Sequence, residues 1–281
     1  MMETSHRGLF GLPREIRRHV YSFLLTPEKT PKEVTYMEDY HEYDQPTRSD
    51  ASKSTNVIRI RNSKITSAIG TRTRYKIRSG RLRSACEDAS YFCANRLDLS
   101  TNIFRVSRRI YEEAVEYLYG SYMFDFDTHV EACIPFLADL AVYTRSRIRR
   151  VSIVKRAIPY DKDFDRCEWG SMCDWISREM SLQELSLGVV AGKPHLGWEG
   201  LTLFNPEKIG ELAHSMDEMS WINDVAGIKG LRKLNVRACI EHSPPPMSDM
   251  MAFFIAFSAS VEPHLAGYLN SRMITQAARQ W

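Results

Sequence analysis

Three segments in the C-terminal half repeat one spacing, LxxLxL: Ile148, Val151 and Ile153, then Leu182, Leu185 and Leu187, then Leu231, Leu234 and Val236. Each ends in a short alternating run, the pattern of a strand with one apolar face over a core. Between the first two lie Trp169, Met172, Trp175, Ile176 and Met180 at helical spacing. Between the second and third, Asn205 and Pro206 make a helix start followed by Ile209, Leu212, Ala213 and Met216. Strand, helix, strand, helix, strand restricts the chain to parallel strands joined by right-handed crossovers. Beyond Pro244, Pro245 and Pro246, Ser248 is placed to cap a helix carrying Met251, Phe254, Ile255 and Phe257, and a second helix is expected after Pro263. The expected fold class is α+β, with residues 128–281 forming a small α/β layer of about three parallel strands covered by C-terminal helices.

The N-terminal part has a different texture. Leu9 to Leu25 reads LFGLPREIRRHVYSFLL, with Pro13 preset for a helix start and Ile16, Val20, Phe23 and Leu24 at helical spacing. Ile103 to Tyr119 reads IFRVSRRIYEEAVEYLY. Ile103, Val106, Ile110, Ala114 and Leu118 fall on one stripe, Arg105, Arg108, Arg109, Glu112, Glu113 and Glu116 lie around the rest, and Gly120 is placed to end the helix. Tyr122, Phe124 and Phe126 then alternate as a short strand. Thr128 and Glu131 have capping-box spacing for a helix running from about His129 toward Tyr143, which Pro135 interrupts.

Residues 27–98 separate these helices. Glu28, Glu33, Glu38, Asp39, Glu42 and Asp44 make their first part acidic, whereas the stretch from Arg48 to Arg83 is basic with Asp50 as its one acid. The composition predicts an irregular, partly disordered insertion with one or two hairpin strands, Val57 to Ile60 being the clearest. Arg59, Arg61, Lys64, Arg72, Arg74, Tyr75, Lys76, Arg78, Arg81 and Arg83 form a candidate anion-binding set, because guanidinium groups beside an aromatic ring suit phosphate contact and base stacking. Fold-back of the acidic part onto the basic part is the competing expectation.

Catalytic motifs are not found. Asp161, Asp163 and Asp165 mimic a calcium loop, but Arg166 stands where glycine is needed and Met172 where the bidentate glutamate belongs. GVVAGK, from Gly188 to Lys193, is too short for a phosphate loop and is followed by Pro194; it reads as a turn after a strand. Asp125, Asp127 and His129 are close in sequence, yet the two acids share one strand face and read as an exposed pair while His129 enters the helix. The six cysteines form no CxxC pair and read mostly as buried thiols of a reducing compartment. The expectation is a noncatalytic chain with no cofactor or metal and no membrane partner. An apolar fraction of 43% supports a real core, and no run long enough to span a bilayer or signal-peptide pattern at MMETSHRGLF is present, so an intracellular protein, cytoplasmic or nuclear, is expected.

LPREI followed by an apolar helix resembles the first half of an F-box, and RVSRRIYEEA is similar to its second half; together they look most like the F-box-like proteins abundant in filamentous fungi. The matching positions are Leu12, Pro13, Glu15, Ile16, Val20 and Leu24, then Val106, Arg109, Ile110, Glu112, Glu113 and Leu118. The C-terminal units also resemble leucine-rich repeats, although starts at Ile148, Leu182 and Leu231 exceed that period and a small α/β layer describes them better. The resemblance divides the chain into a split helical module (1–26 and 99–127), the insertion (27–98) and the α/β layer (128–281). It implies an adaptor that uses Leu12, Pro13, Ile16, Val20 and Leu24 to dock a Skp-family adaptor of a cullin-RING ubiquitin ligase and recruits an unknown protein target. The alternative is a nucleic-acid or anionic-partner module using residues 48–83.

Overall fold

The computed structural model describes residues 8–26, 56–64, 72–79, 84–95, 99–157, 163–192, 202–241 and 249–274. Its strands are β1 (Val57–Lys64), β2 (Tyr75–Ser79), β3 (Ala85–Cys93), β4 (Met123–Asp127), β5 (Arg150–Arg156), β6 (Glu184–Gly192) and β7 (Lys233–Glu241). They make a seven-stranded sheet in the order β2-β3-β1-β4-β5-β6-β7. β1 and β4 to β7 run parallel to one another, while β3 is antiparallel to both β1 and β2. The fold is mixed helix and sheet with C-terminal helices.

The repeated spacing sets the register. Val151 faces Leu185, which faces Leu234, and Ile153, Leu187 and Val236 form the next row. Two rows of branched side chains thus lie across three strands on one face. Helix α5 (Asp163–Glu179) connects β5 to β6, and α6 (Pro206–Ser215) with α7 (Trp221–Ala226) connects β6 to β7. Asn205 caps α6 by accepting the Lys208 N–H at 2.8 Å, with Pro206 in the first turn. Trp169 of α5 meets Trp221 of α7 edge to face at 6.1 Å and donates its indole N–H to the Trp221 carbonyl. These groups, with Ile176, Leu212 and Ile222, belong to one continuous core.

The sheet is larger than the sequence suggested. Five parallel strands replace about three, and the insertion supplies β1, β2 and β3, so the sheet does not start at residue 128. Beyond Ile60, VIRIRNSK hides its strand because five of its eight residues are polar, yet Val57 and Ile60 are buried and the Arg61 side chain is satisfied inside. The second N-terminal helix is also shorter. A 3-10 turn covers Thr101–Arg105, Ser107 caps α2 (Arg108–Ser121) through Ile110 N–H, and Val106 is left 64% exposed.

The capping box at Thr128 does not form, because both its side chains are engaged elsewhere. Thr128 accepts from Arg156 at 3.3 Å and Glu131 from Asn62 at 3.2 Å. The chain makes a 3-10 turn at Val130–Ala132, then α3 (Cys133–Ala138), with Pro135 in its first turn, and α4 (Val142–Arg145). The second helix does follow Pro263, but without a break in the chain's helical course: α8 (Asp249–Ser260) passes through a π-helical turn, Val261–Leu265, that contains Pro263, into α9 (Ala266–Met273). The wider turn accommodates the proline ring. Ser248, Asp161 and Lys193 lie outside the described residues. Asp163 and Asp165 occupy the first turn of α5, and Gly188 lies inside β6, not in a turn.

Glu262 in the π-helical turn accepts the Ala238 N–H of β7, and Leu231 bridges Ile274, which closes the β7 edge. Cys133, Cys173 and Cys239 are buried, whereas Cys86, Cys93 and Cys167 are exposed thiols. Among the described residues no helix is long and apolar enough to cross a membrane.

Val154 alternates with the core residues of β5 and joins Val190 and Cys239 in a small separate apolar cluster. A Cβ on Gly188 would stand 2.7 Å from Cys239 Sγ and 2.9 Å from a Val154 methyl. Gly188→Ala should therefore destabilise the protein by about 1–3 kcal/mol in urea unfolding, and adding Cys239→Ala should recover part of that loss.

Candidate functional site

Helix α1 (Arg14–Leu25) starts after Pro13, as its sequence predicts, but it turns a different face inward. Its buried positions are Arg17, Tyr21 and Leu25, one turn apart. The apolar positions that the spacing marks as a stripe lie on the flank: Ile16 is 49% and Phe23 is 72% exposed, and Val20 is half-buried. An apolar helix ordinarily buries its apolar stripe. Here an ionic contact is made instead.

Arg17 is 6% exposed and donates from Nε and Nη2 to the two carboxylate oxygens of Glu113 on α2, both at 2.7 Å. Its Nη1 donates to the Leu12 carbonyl at 2.6 Å, holding the chain that leads into the helix. The Tyr21 hydroxyl donates to the same carboxylate at 3.0 Å. The planar guanidinium matches the carboxylate with two parallel bonds, a geometry that lysine cannot reproduce. Arg14 reinforces it from the surface by donating to Glu116 at 3.0 and 3.1 Å. At the other end of α1, Ser100 N–H donates to the Leu24 carbonyl at 3.0 Å and the Tyr122 hydroxyl donates to that of Leu25, so two otherwise unpaired carbonyls are satisfied.

The hydrogen bonds from Arg17 hold the Glu113 carboxyl below the usual carboxylate range, in spite of partial burial. Burial, followed by the bond to Glu113, pushes the Tyr21 phenol up to about 12. Phe10 sits beneath Arg109, whose guanidinium carbon is 4.5 Å from the ring centroid.

The residues expected to dock a partner divide between surface and core. Leu12 (41% exposed), Pro13 and Ile16 face outward, Val20 is half-buried, and Leu24 packs against the core. Phe23, absent from that set, is the most exposed large apolar side chain of α1. Helical spacing placed it beside Ile16 and Val20, and that was the available signal.

The candidate anion-binding residues do not converge. Arg61 is internal: Nη2 contacts Asp125 at 2.7 Å and Asp127 at 3.5 Å, and Nη1 donates to the Asp125 carbonyl at 2.7 Å. The two aspartates are therefore buried around a cation and are not an exposed pair; the break in β4–β5 register and the left-handed Asp127 (φ 51°) bring both onto Arg61. Lys64 pairs with Glu87 and Lys76 with Asp88, Arg72 lies over Tyr91, and Arg78 lies over Phe164. Arg59 is half-buried, with its backbone N–H donating to Asn95, and Arg74 is exposed. Tyr75 turns inward to donate to Asn62 at 2.7 Å, and burial raises its pKa. Arg81 and Arg83 lie outside the described residues. Among the described residues no three His, Cys, Asp or Glu side chains are grouped to hold a metal ion.

A family profile described as "Domain of unknown function (DUF7730)" matches residues 5–223. No curated protein and no solved structure matches the chain.

Because the Glu113 pKa is depressed, its contribution to stability is present above the unfolded carboxylate value, roughly 4.3, and is lost as pH falls through the folded value. The protection factors of α1 amides, taken against the intrinsic exchange rate at each pH, should therefore fall on acidification below about pH 4 before those of the β5–β6 amides respond. Glu113→Gln should speed α1 exchange already at pH 7 and flatten that acid response, whereas Glu116→Gln, at an exposed pair, should change α1 exchange by no more than about twofold.

Proposed function

The chain belongs to the DUF7730 family, a family without an assigned activity, and we propose that it is a noncatalytic interaction adaptor that docks a Skp-family partner through the outer flank of α1 and serves as a substrate receptor of a cullin-RING ubiquitin ligase. One observation carries the reading. α1 is fastened through Arg17, Tyr21 and Leu25 while Leu12, Ile16 and Phe23 remain uncovered. An apolar face withheld from its own core suits helix recognition by a groove, which takes anchors one and two turns apart, as Ile16, Val20 and Phe23 are. The Skp-type partner follows from the resemblance to an F-box, since Leu12, Pro13 and Ile16 of LPREI lie on that uncovered side. Nucleic-acid binding by residues 48–83 has less support, because Arg61, Lys64 and Lys76 already face carboxylates.

The test is calorimetric titration of a Skp-family adaptor into the protein and into an Ile16→Asp, Phe23→Asp double variant. Both side chains are exposed, so the variant should keep its fold by circular dichroism. The proposal predicts saturable wild-type binding weakened by about thirtyfold or more in the variant, the loss of one buried anchor being ~2 kcal/mol or more. Absence of wild-type binding, or equal binding by the variant, contradicts it.

A further inference from the structure

The flank of α1 opposite Ile16 and Phe23 borders a polar cleft of about 270 Å³. Arg14 and Arg18 of α1 line it together with Tyr117 of α2, Arg147 and Arg149 ahead of β5, and Gln183 ahead of β6. Glu113 and Glu116 also reach it, but their oxygens are already engaged by Arg17, Tyr21 and Arg14. Among the described residues Arg18, Arg147 and Arg149 form no ion pair with a carboxylate. Arg149 is held by donating to the Ser181 carbonyl at 3.0 Å, and Arg147 lies over the Tyr143 ring with its guanidinium carbon 4.7 Å from the centroid. The Arg147 Nε is buried without an acceptor, which is costly for a donor removed from water. A second hollow, of about 400 Å³, shares Arg147 and Arg14.

Three arginines from two elements, two of them oriented by contacts that leave their charge unneutralised, point to a missing anion. We infer that this cleft binds a phosphate group, carried as a monoester or present as the free ion. A dianion at neutral pH is attracted strongly enough to enter beside Glu113 and Glu116, and its three peripheral oxygens can accept from Arg18, Arg147 and Arg149 together. A carboxylate has one charge and two oxygens. The inference does not depend on docking at the apolar flank, because none of the cleft residues named lies on that side of α1.

The full chain should be titrated with N-acetyl-O-phosphoserine amide, inorganic phosphate and acetate at constant ionic strength, following the arginine Nε–Hε signals by NMR. Saturable shifts with the phosphate probes and none with acetate are expected. Arg147→Gln and, separately, Arg18→Gln should each weaken binding about tenfold or more, while Arg72→Gln, at the far edge of the sheet, should leave it unchanged. Arg18 is exposed, so its variant tests the cleft even if the Arg147 variant fails to fold. Tighter binding of the ester than of inorganic phosphate identifies a phosphorylated polypeptide as the source; equal or tighter binding of inorganic phosphate identifies the free ion. No response to either phosphate probe, equal shifts with acetate, or an Arg18→Gln variant with wild-type affinity overturns the site.

Discussion

The bidentate contact between Arg17 and Glu113 determines what α1 presents to solvent. A helix of this composition, packed by hydrophobicity alone, would roll Ile16, Val20 and Phe23 against α2 and leave Arg17 in water. The opposite rotation holds because the guanidinium and carboxylate satisfy each other in two parallel bonds, Tyr21 adds a third bond to the same carboxylate, and Leu12 supplies a carbonyl to the remaining nitrogen. Burying an ion pair is seldom a net gain over apolar packing, but breaking one partner away from the other is costly. Its effect is to specify orientation: the contact forms only in this rotation, so it selects one of two faces that would otherwise compete.

From that choice follow the two flanks of α1. One carries exposed apolar side chains, and the other carries Arg14 and Arg18 toward a basic cleft completed by Arg147 and Arg149. The sheet supplies the rigidity behind both. α2, which bears Glu113, leads directly into β4, and the buried run from Met123 to Asp127 sits between β1 and β5. A side chain on α1 is therefore referenced to the centre of the sheet through one helix and one turn.

The parts of the fold set by apolar spacing were readable in advance. β5, β6 and β7 lie where the LxxLxL segments placed them, and their partners fall in the repeated register, because a strand with one face on the core announces itself by branched residues at alternate positions. What could not be read depended on charges meeting across long separations. Arg61 and Asp125 look polar and exposed one at a time, and become a buried pair only when β1 and β4 are neighbours. The same holds for Arg17 and Glu113. The helix at α1 was legible from Pro13 and its spacing, but its rotation was not, since that rotation rests on a glutamate from a separate segment. Ser107 was a local signal, a cap that outweighed the stripe running through Ile103 and Val106.

Carbene footprinting of the isolated chain, read residue by residue by mass spectrometry, tests the rotation of α1 most directly. With Arg17 seated on Glu113, Ile16 and Phe23 should label strongly while Tyr21 and Leu25 stay protected. Protection of Ile16 and Phe23 with labelling at Tyr21 would show that the helix buries its apolar stripe and would contradict this rotation.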